Sequence, residues 1–180
     1  MKNSLLALTL ITSFFALTSN SLLACDIHGH SGFMPKNNFK IYVDDKAAGG
    51  ITEVQFNRVM DKMTALYSSV VAKSGRKFVI ERRWSDPTVN AFAEQNTPGV
   101  DTIHMFGGLA RHPETTEDAM ALVACHELGH HLGGAPRKSD PSTGSLIWAA
   151  NEGQADYWGT MKCLRHYFEG DDNVAIVNKL

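Results

Sequence analysis

The sequence carries no marked excess of either charge. Its 17 Lys and Arg residues stand against 19 Asp and Glu residues, so the formal net charge is −2 at pH 7. Binding of nucleic acid or of an anionic membrane surface through charge requires a basic excess, and we therefore expect neither partner. Internal repeats, low-complexity tracts and signs of a second domain are also missing. The 180 residues are enough for one domain with a hydrophobic core.

The longest apolar run lies at the N-terminus and is too short to span a membrane. It extends from Leu5 to Leu17, follows Lys2 and leads to Ser21-Leu22-Leu23-Ala24, which is the pattern of a secretory signal peptide. Cleavage after Ala24 leaves 156 residues with a formal charge of −3. We expect a periplasmic or secreted protein with no integral membrane span after cleavage. The expected organisation is a signal peptide at 1–24, an N-terminal arm at 25–50 and a single domain at 51–180.

His126, Glu127 and His130 form the motif H-E-x-x-H. On a helix that turns about 100° per residue, the two histidines lie one turn apart on one face, where both can bind one ion. Glu127 points elsewhere, which suits a carboxylate that reaches the water on the metal. The surrounding residues, Asp118 to Leu132, are apolar on nearly every side, which predicts a buried helix. Polar groups buried there need partners.

A third ligand is needed, and its identity separates the families that share this motif. The metzincin pattern H-E-x-x-H-x-x-G-x-x-H is followed as far as Gly133 and then fails, because Pro136 occupies the third-ligand position. His131 points about 100° away from its neighbour and is a poor substitute. Glu152 is the better candidate. It would complete a His2Glu site for one Zn²⁺ ion.

Asp156 follows Glu152 by four residues, on the same face of an expected second helix. A carboxylate there can accept the spare ring N–H of a ligand histidine and fix its tautomer. By analogy with related sites, that histidine is His126.

The sequence H-E-L-G-H followed by N-E-x-x-A-D resembles a gluzincin metallopeptidase. Further upstream, Val89 to Ala93 and Ile103 to Leu109 are similar to the family of the CAAX prenyl protease and the bacterial heat-shock membrane protease. The resemblance covers about residues 78 to 165, the catalytic domain only, without flanking membrane helices. It implies a zincin-like fold in which an N-A-F-A edge strand holds an extended peptide. The implied substrate-binding residues are Asn90, Ala91 and Phe92.

Periodicity predicts an α+β fold in which a small, mostly antiparallel sheet packs on the H-E-x-x-H helix and on a second ligand-bearing helix. An amphipathic helix is predicted from Thr52 to Lys73, with a stop at Gly75. Residues 26–50 and 135–145 are predicted to be mostly loop. The second ligand-bearing helix is predicted from about Leu146 to Phe168. The predicted strands are Phe78 to Trp84, Val89 to Ala93 and Thr102 to Phe106.

Cysteine is scarce, and an odd number leaves one thiol unpaired if two form a disulfide. Cys163 lies 11 residues after Glu152, a net rotation of about 20°, so it faces the first helix and pairs naturally with Cys125. The rival interpretation pairs Cys163 with Cys25 and leaves Cys125 as a buried thiol. Cys25 also ends a sequence that resembles a lipobox. A lipid anchor at Cys25 and plain signal-peptidase cleavage both stay open.

The functional expectation is an exported zinc metalloendopeptidase that acts on a peptide or protein substrate with Glu127 as general base. A tetrahedral oxyanion also needs a donor opposite the metal, and the candidates are Tyr157, His166 and Arg165. Two alternatives remain: a non-catalytic exported zinc-binding module and an inactive peptidase homologue, each binding a partner peptide. Structural zinc sites usually have four protein ligands, whereas this set supplies three.

Overall fold

The structure, a computed structural model, describes residues 32–35 and 37–178. The expected signal peptide at 1–24 and the expected lipidation at Cys25 lie outside these residues. The described chain is a mixed α+β structure. Its strands are β1 (Lys77–Arg83), β2 (Ala91–Glu94), β3 (Val100–Phe106), β4 (Arg137–Ser139) and β5 (Leu146–Ala150). Its helices are α1 (Glu53–Ala72), α2 (Gly107–Ala110), α3 (Glu117–Leu132), α4 (Glu152–Trp158), a π-helical segment (Gly159–Leu164), α5 (Arg165–Tyr167) and α6 (Asn173–Val177).

The predicted amphipathic helix is α1, and its ends are set by local sequence. Thr52 caps the N-terminus by accepting a hydrogen bond from the backbone N–H of Gln55, whose side chain accepts one from the Thr52 N–H in return. After the helix, Gly75 adopts a φ of 75°, a left-handed conformation that favours glycine. One face of the helix enters the core. Its buried residues are Phe56, Val59, Met60, Met63, Tyr67 and Val71.

The three-stranded sheet is mixed, which corrects the prediction that it is mostly antiparallel. β3 lies in the centre, pairs with β2 in an antiparallel hairpin and pairs with β1 in parallel. The strand order requires the chain between β1 and β2 to pass the end of β3. That connection is held by the buried guanidinium of Arg111, which donates to the carbonyls of Ile41, Trp84 and Asp86. This contact is long-range, so strand periodicity gave no sign of it.

The predicted helix from Leu146 to Phe168 begins too early. Residues 146–150 form β5, which pairs with β4, and β4 lies inside the predicted loop 135–145. In β5, Ile147 and Ala149 are buried whereas Leu146 is exposed, an alternation with the period of two that a strand requires. The helix begins at Glu152 because Asn151 caps it, accepting a hydrogen bond from the Gln154 N–H.

α3 is the central helix and contacts the sheet, α1, β5, α4 and the π-helical segment. A disulfide between Cys125 and Cys163 joins α3 to the π-helical segment, so the predicted pairing is confirmed. Both cysteines are fully buried. Within the described part of the chain, no helix combines the length and apolar character needed to cross a membrane.

Candidate metal centre

Two helices bring together three side chains that could bind a metal ion. α3 presents His126 and His130, both buried, and α4 presents Glu152 in its first turn. Oε2 of Glu152 lies 3.1 Å from Nε2 of His126 and 3.5 Å from Nε2 of His130. Ligand atoms 2.0–2.1 Å from one tetrahedral ion are separated by about 3.3 Å, close to both distances. The group could therefore bind a metal ion.

Both imidazoles are oriented through their Nδ1 atoms. Nδ1 of His126 lies 2.8 Å from Oδ1 of Asp156, and Nδ1 of His130 lies 2.8 Å from the carbonyl of Ala150. In a neutral ring these contacts place the proton on Nδ1, so that Nε2 is the nitrogen that carries the lone pair. Nε2 of His126 is buried and makes no well-aligned hydrogen bond within the described residues. A buried nitrogen of this kind suits a metal ligand.

The charges in the group are strongly coupled. Burial alone would lower the pKa of His126, but the surrounding carboxylates, that of Glu152 first, raise its pKa to about 9. Burial lowers the pKa of His130, and the positive charge of His126 lowers it further, to about 3. Burial raises the pKa of Glu152, but its contacts with His126, His130 and Lys138 lower it to about 2. The raised pKa of His126 favours its charged form next to the Glu152 carboxylate when no metal is bound. The proton on Nε2 has to leave before this nitrogen can bind an ion.

Glu127 is the next residue of α3 and is fully buried. Its negative charge contributes to the raised pKa of His126, so the carboxylate lies within electrostatic reach of the metal-binding group. It is not one of the three clustered donors. Glu127 is thus placed beside the group without being a member of it.

Lys138 is a site residue that the sequence analysis missed. It extends from β4, its Nζ donates to Oε1 of Glu152, and only 11% of its side chain is exposed. The contact leaves Oε2 of Glu152 facing the two histidines. Lys138 lies inside a predicted loop, and its contact with Glu152 spans 14 residues. The contact depends on the β4–β5 pairing, which no local pattern signals. The β4–β5 hairpin also supplies the Ala150 carbonyl that orients His130.

Gly129 sets the distance between α3 and α4. A Cβ atom at this position would lie 2.6 Å from the carbonyl oxygen of Ala155 and 2.9 Å from its Cα. These are backbone atoms of the helix that carries Glu152, so they cannot rotate away. The glycine within the motif therefore allows α3 and α4 to approach each other closely.

We expect Gly129→Ala to push α4 away from α3, lowering the affinity for added Zn²⁺ at least tenfold and the free energy of unfolding by about 1–3 kcal/mol. Competition with a chromophoric chelator and urea denaturation measure the two effects. Gly153→Ala is the matched control, because that glycine lies in α4 with no heavy atom within 4 Å of the added Cβ. Equal Zn²⁺ affinities of the two variants would contradict the role assigned to Gly129.

Two of the three residues expected to hold substrate contact the N-terminal segment of the chain itself. Oδ1 of Asn90 accepts a hydrogen bond of 2.8 Å from the backbone N–H of Met34. The carbonyl of Ala91 accepts one of 2.7 Å from the backbone N–H of Phe33. The ring of Phe92 stacks on His104 at 4.2 Å between centroids, on the face of the sheet opposite the buried Ala91. Asn90 and Ala91 thus contact the N-terminal segment of the same chain, whereas Phe92 packs on His104.

Two of the three candidate oxyanion donors are in the wrong place. Arg165 and His166 lie in α5, and at roughly 1.5 Å per residue they are about 20 Å along the helical run beyond Glu152. The His166 ring packs instead on Tyr67 of α1, 5.6 Å between centroids. The same separation follows from the residue numbers, since the predicted second helix already contained Glu152 and both of these residues. Tyr157 remains near Glu152 along the chain, and 57% of it is exposed.

Comparison of this chain with protein-family models, with curated proteins and with solved structures gives no match. Its chemistry therefore has to be inferred from its own residues.

Proposed function

We propose that this chain is an exported zinc metalloendopeptidase of the gluzincin type, with a zincin-like arrangement of α3 and α4. One observation carries the proposal: two oriented imidazoles and a carboxylate lie within 4.8 Å of one another. A buried glutamate follows the first imidazole in the chain. A set of two nitrogen donors and one oxygen donor is the protein contribution to catalytic zinc sites of this type.

Each residue has a defined part in the proposed reaction. Zn²⁺, when bound, acidifies a water molecule and polarises the carbonyl of the peptide bond. Glu127 takes the proton of the attacking water and passes it to the leaving amine. Asp156 and the Ala150 carbonyl hold the rings of His126 and His130 in the ligating orientation.

The number of ligands favours an enzyme over a structural zinc module. Structural sites are usually closed by four protein ligands. Among residues 32–35 and 37–178, the metal-binding group contains His126, His130 and Glu152 and no fourth member. Export is supported by the Cys125–Cys163 disulfide, since such bonds persist in oxidising compartments.

The test is cleavage of unfolded protein. The purified chain is loaded with Zn²⁺ and incubated with a denatured protein mixture, and the new termini are read by mass spectrometry. We expect cleavage that a chelator abolishes and that added Zn²⁺ restores. Stoichiometric zinc without any cleavage would favour the non-catalytic module or the inactive homologue. Cleavage that resists the chelator would reject the zinc mechanism.

A further inference from the structure

Residues 32–35 lie against the start of β2, a strand whose other edge pairs with β3. The Phe33 N–H donates to the Ala91 carbonyl, and the Met34 N–H donates to Oδ1 of Asn90. The Asn90 amide donates back to the Met34 carbonyl over 3.4 Å. Polar groups at the free edge of a strand are those that an added peptide strand pairs with. The chain's own segment therefore holds part of this edge.

The segment approaches the edge so closely that it requires a glycine. Gly32 is buried and has a φ of 129°, a conformation that side chains rarely adopt. A Cβ atom there would lie 2.4 Å from the Ala91 carbonyl oxygen and 2.5 Å from Oδ1 of Asn90. Any other residue at position 32 has to move the segment away from β2.

The next side chain reaches the metal-binding group. The Phe33 ring meets the His126 ring edge-on, with 5.3 Å between centroids, and it also packs against the hydrophobic core. Phe33 is one of several neighbours that leave His126 only 5% exposed. A peptide that paired with the Ala91 carbonyl in the same way would bring a side chain to the same place.

We propose that residues 32–35, called the occluding segment below, hold the peptide-binding edge of β2 in cis and have to leave it before a substrate binds. The partner that displaces them is an extended peptide with an apolar side chain in the place of Phe33. This inference rests on the proposed function and adds its regulation. A tethered segment competes at an effective concentration in the millimolar range, so even weak contacts lower the apparent affinity for a free peptide.

The main experiment measures peptide binding without hydrolysis. The full chain carrying Glu127→Gln is compared with the same chain carrying Gly32→Ala as well. The probe is a fluorescein-labelled peptide with the sequence of residues 31–37, Ser-Gly-Phe-Met-Pro-Lys-Asn, followed by anisotropy. We expect about tenfold tighter binding when Gly32 is replaced, because the occluding segment is displaced. Gly99→Ala is the control, since Gly99 also has a positive φ, of 75°, but lies in open space.

Hydrogen exchange shows whether the segment has moved. Gly32→Ala should speed exchange of the Phe33 and Met34 amides and leave the amides of α3 unchanged, which establishes that the fold is intact. Phe33→Ser is a second variant that removes the contact with His126 instead. Slow exchange of the segment in both variants would overturn the proposal by making these residues a fixed part of the fold. Released segments with unchanged peptide affinity would overturn it equally.

The peptidase proposal can fail separately. The zinc-loaded chain could cleave no protein while Gly32→Ala still tightens peptide binding. That result would support the role of the occluding segment and reject the peptidase proposal.

Discussion

Replacement of Glu127 by Gln is expected to lower the rate of peptide hydrolysis about a thousandfold while the chain still binds one zinc ion. Glu127 is fully buried. Because Gln has nearly the same shape as Glu, the substitution should not disturb the packing around α3. A neutral amide cannot accept the proton of the attacking water, and general-base catalysis typically contributes about 10² to 10⁴ in rate. Steady-state cleavage of a peptide and metal analysis of the dialysed protein measure the two quantities.

Asp118→Asn is the matched control for Glu127→Gln. It also removes one negative charge from α3, but Asp118 is exposed in the first turn of the helix, two turns before the motif. This variant should cleave at the wild-type rate. Full activity of Glu127→Gln would reject Glu127 as the base. Loss of zinc in that variant would instead indicate that Glu127 helps to bind the metal.

The second large effect concerns the disulfide. Simultaneous replacement of Cys125 and Cys163 by Ala is expected to lower the free energy of unfolding by about 4 kcal/mol. The bond closes a loop of 38 residues, and the loop-entropy relation assigns about this much to a loop of that length. Because Cys125 directly precedes His126, the loss should also weaken zinc binding. Urea denaturation in the presence of chelator isolates the first effect, since bound metal would add its own stabilisation.

Reduction of the wild-type disulfide provides a second measure without a change of side chain. The reduced protein and the double Ala variant should unfold at similarly lowered urea concentrations. Cys25→Ala should unfold like the oxidised wild type, because Cys25 is not in this bond. Oxidised and reduced proteins with the same unfolding midpoint would show that the disulfide contributes little to stability.

Elements whose signals lie within a few neighbouring residues can be predicted from the sequence. The helix α1 could be placed within one residue at each end because the apolar spacing, the Thr52 cap and Gly75 all act within a few residues of one another. The predicted start of the second helix, Leu146, is six residues before the observed start of α4 at Glu152, although the sequence contains a signal for the correct start. Asn151 is an N-cap with Gln at the third helical position, and the apolar residues before it alternate as in a strand. The prediction of a helix over residues 146–150 overlooked this alternation, which is typical of a strand.

Other parts of the site had no local signal at all. The contact of Lys138 with Glu152 spans 14 residues and exists only because β4 pairs with β5. The contact of the N-terminal segment with Asn90 spans 56 residues. Hydrogen bonds of this kind depend on which edges the completed fold leaves free, and a one-dimensional pattern contains no such information.

The sequence alone determined the chemical content of the candidate metal centre. Helical spacing put His126 and His130 on one face, because this relation follows from rotation about a single helix axis. Tertiary structure decided which other residues surround His126, His130 and Glu152. It brought α4 against Gly129, placed Lys138 on Glu152 and laid residues 32–35 on the edge of β2. Each of these requires two separate elements to pack together, and packing is a property of the whole chain.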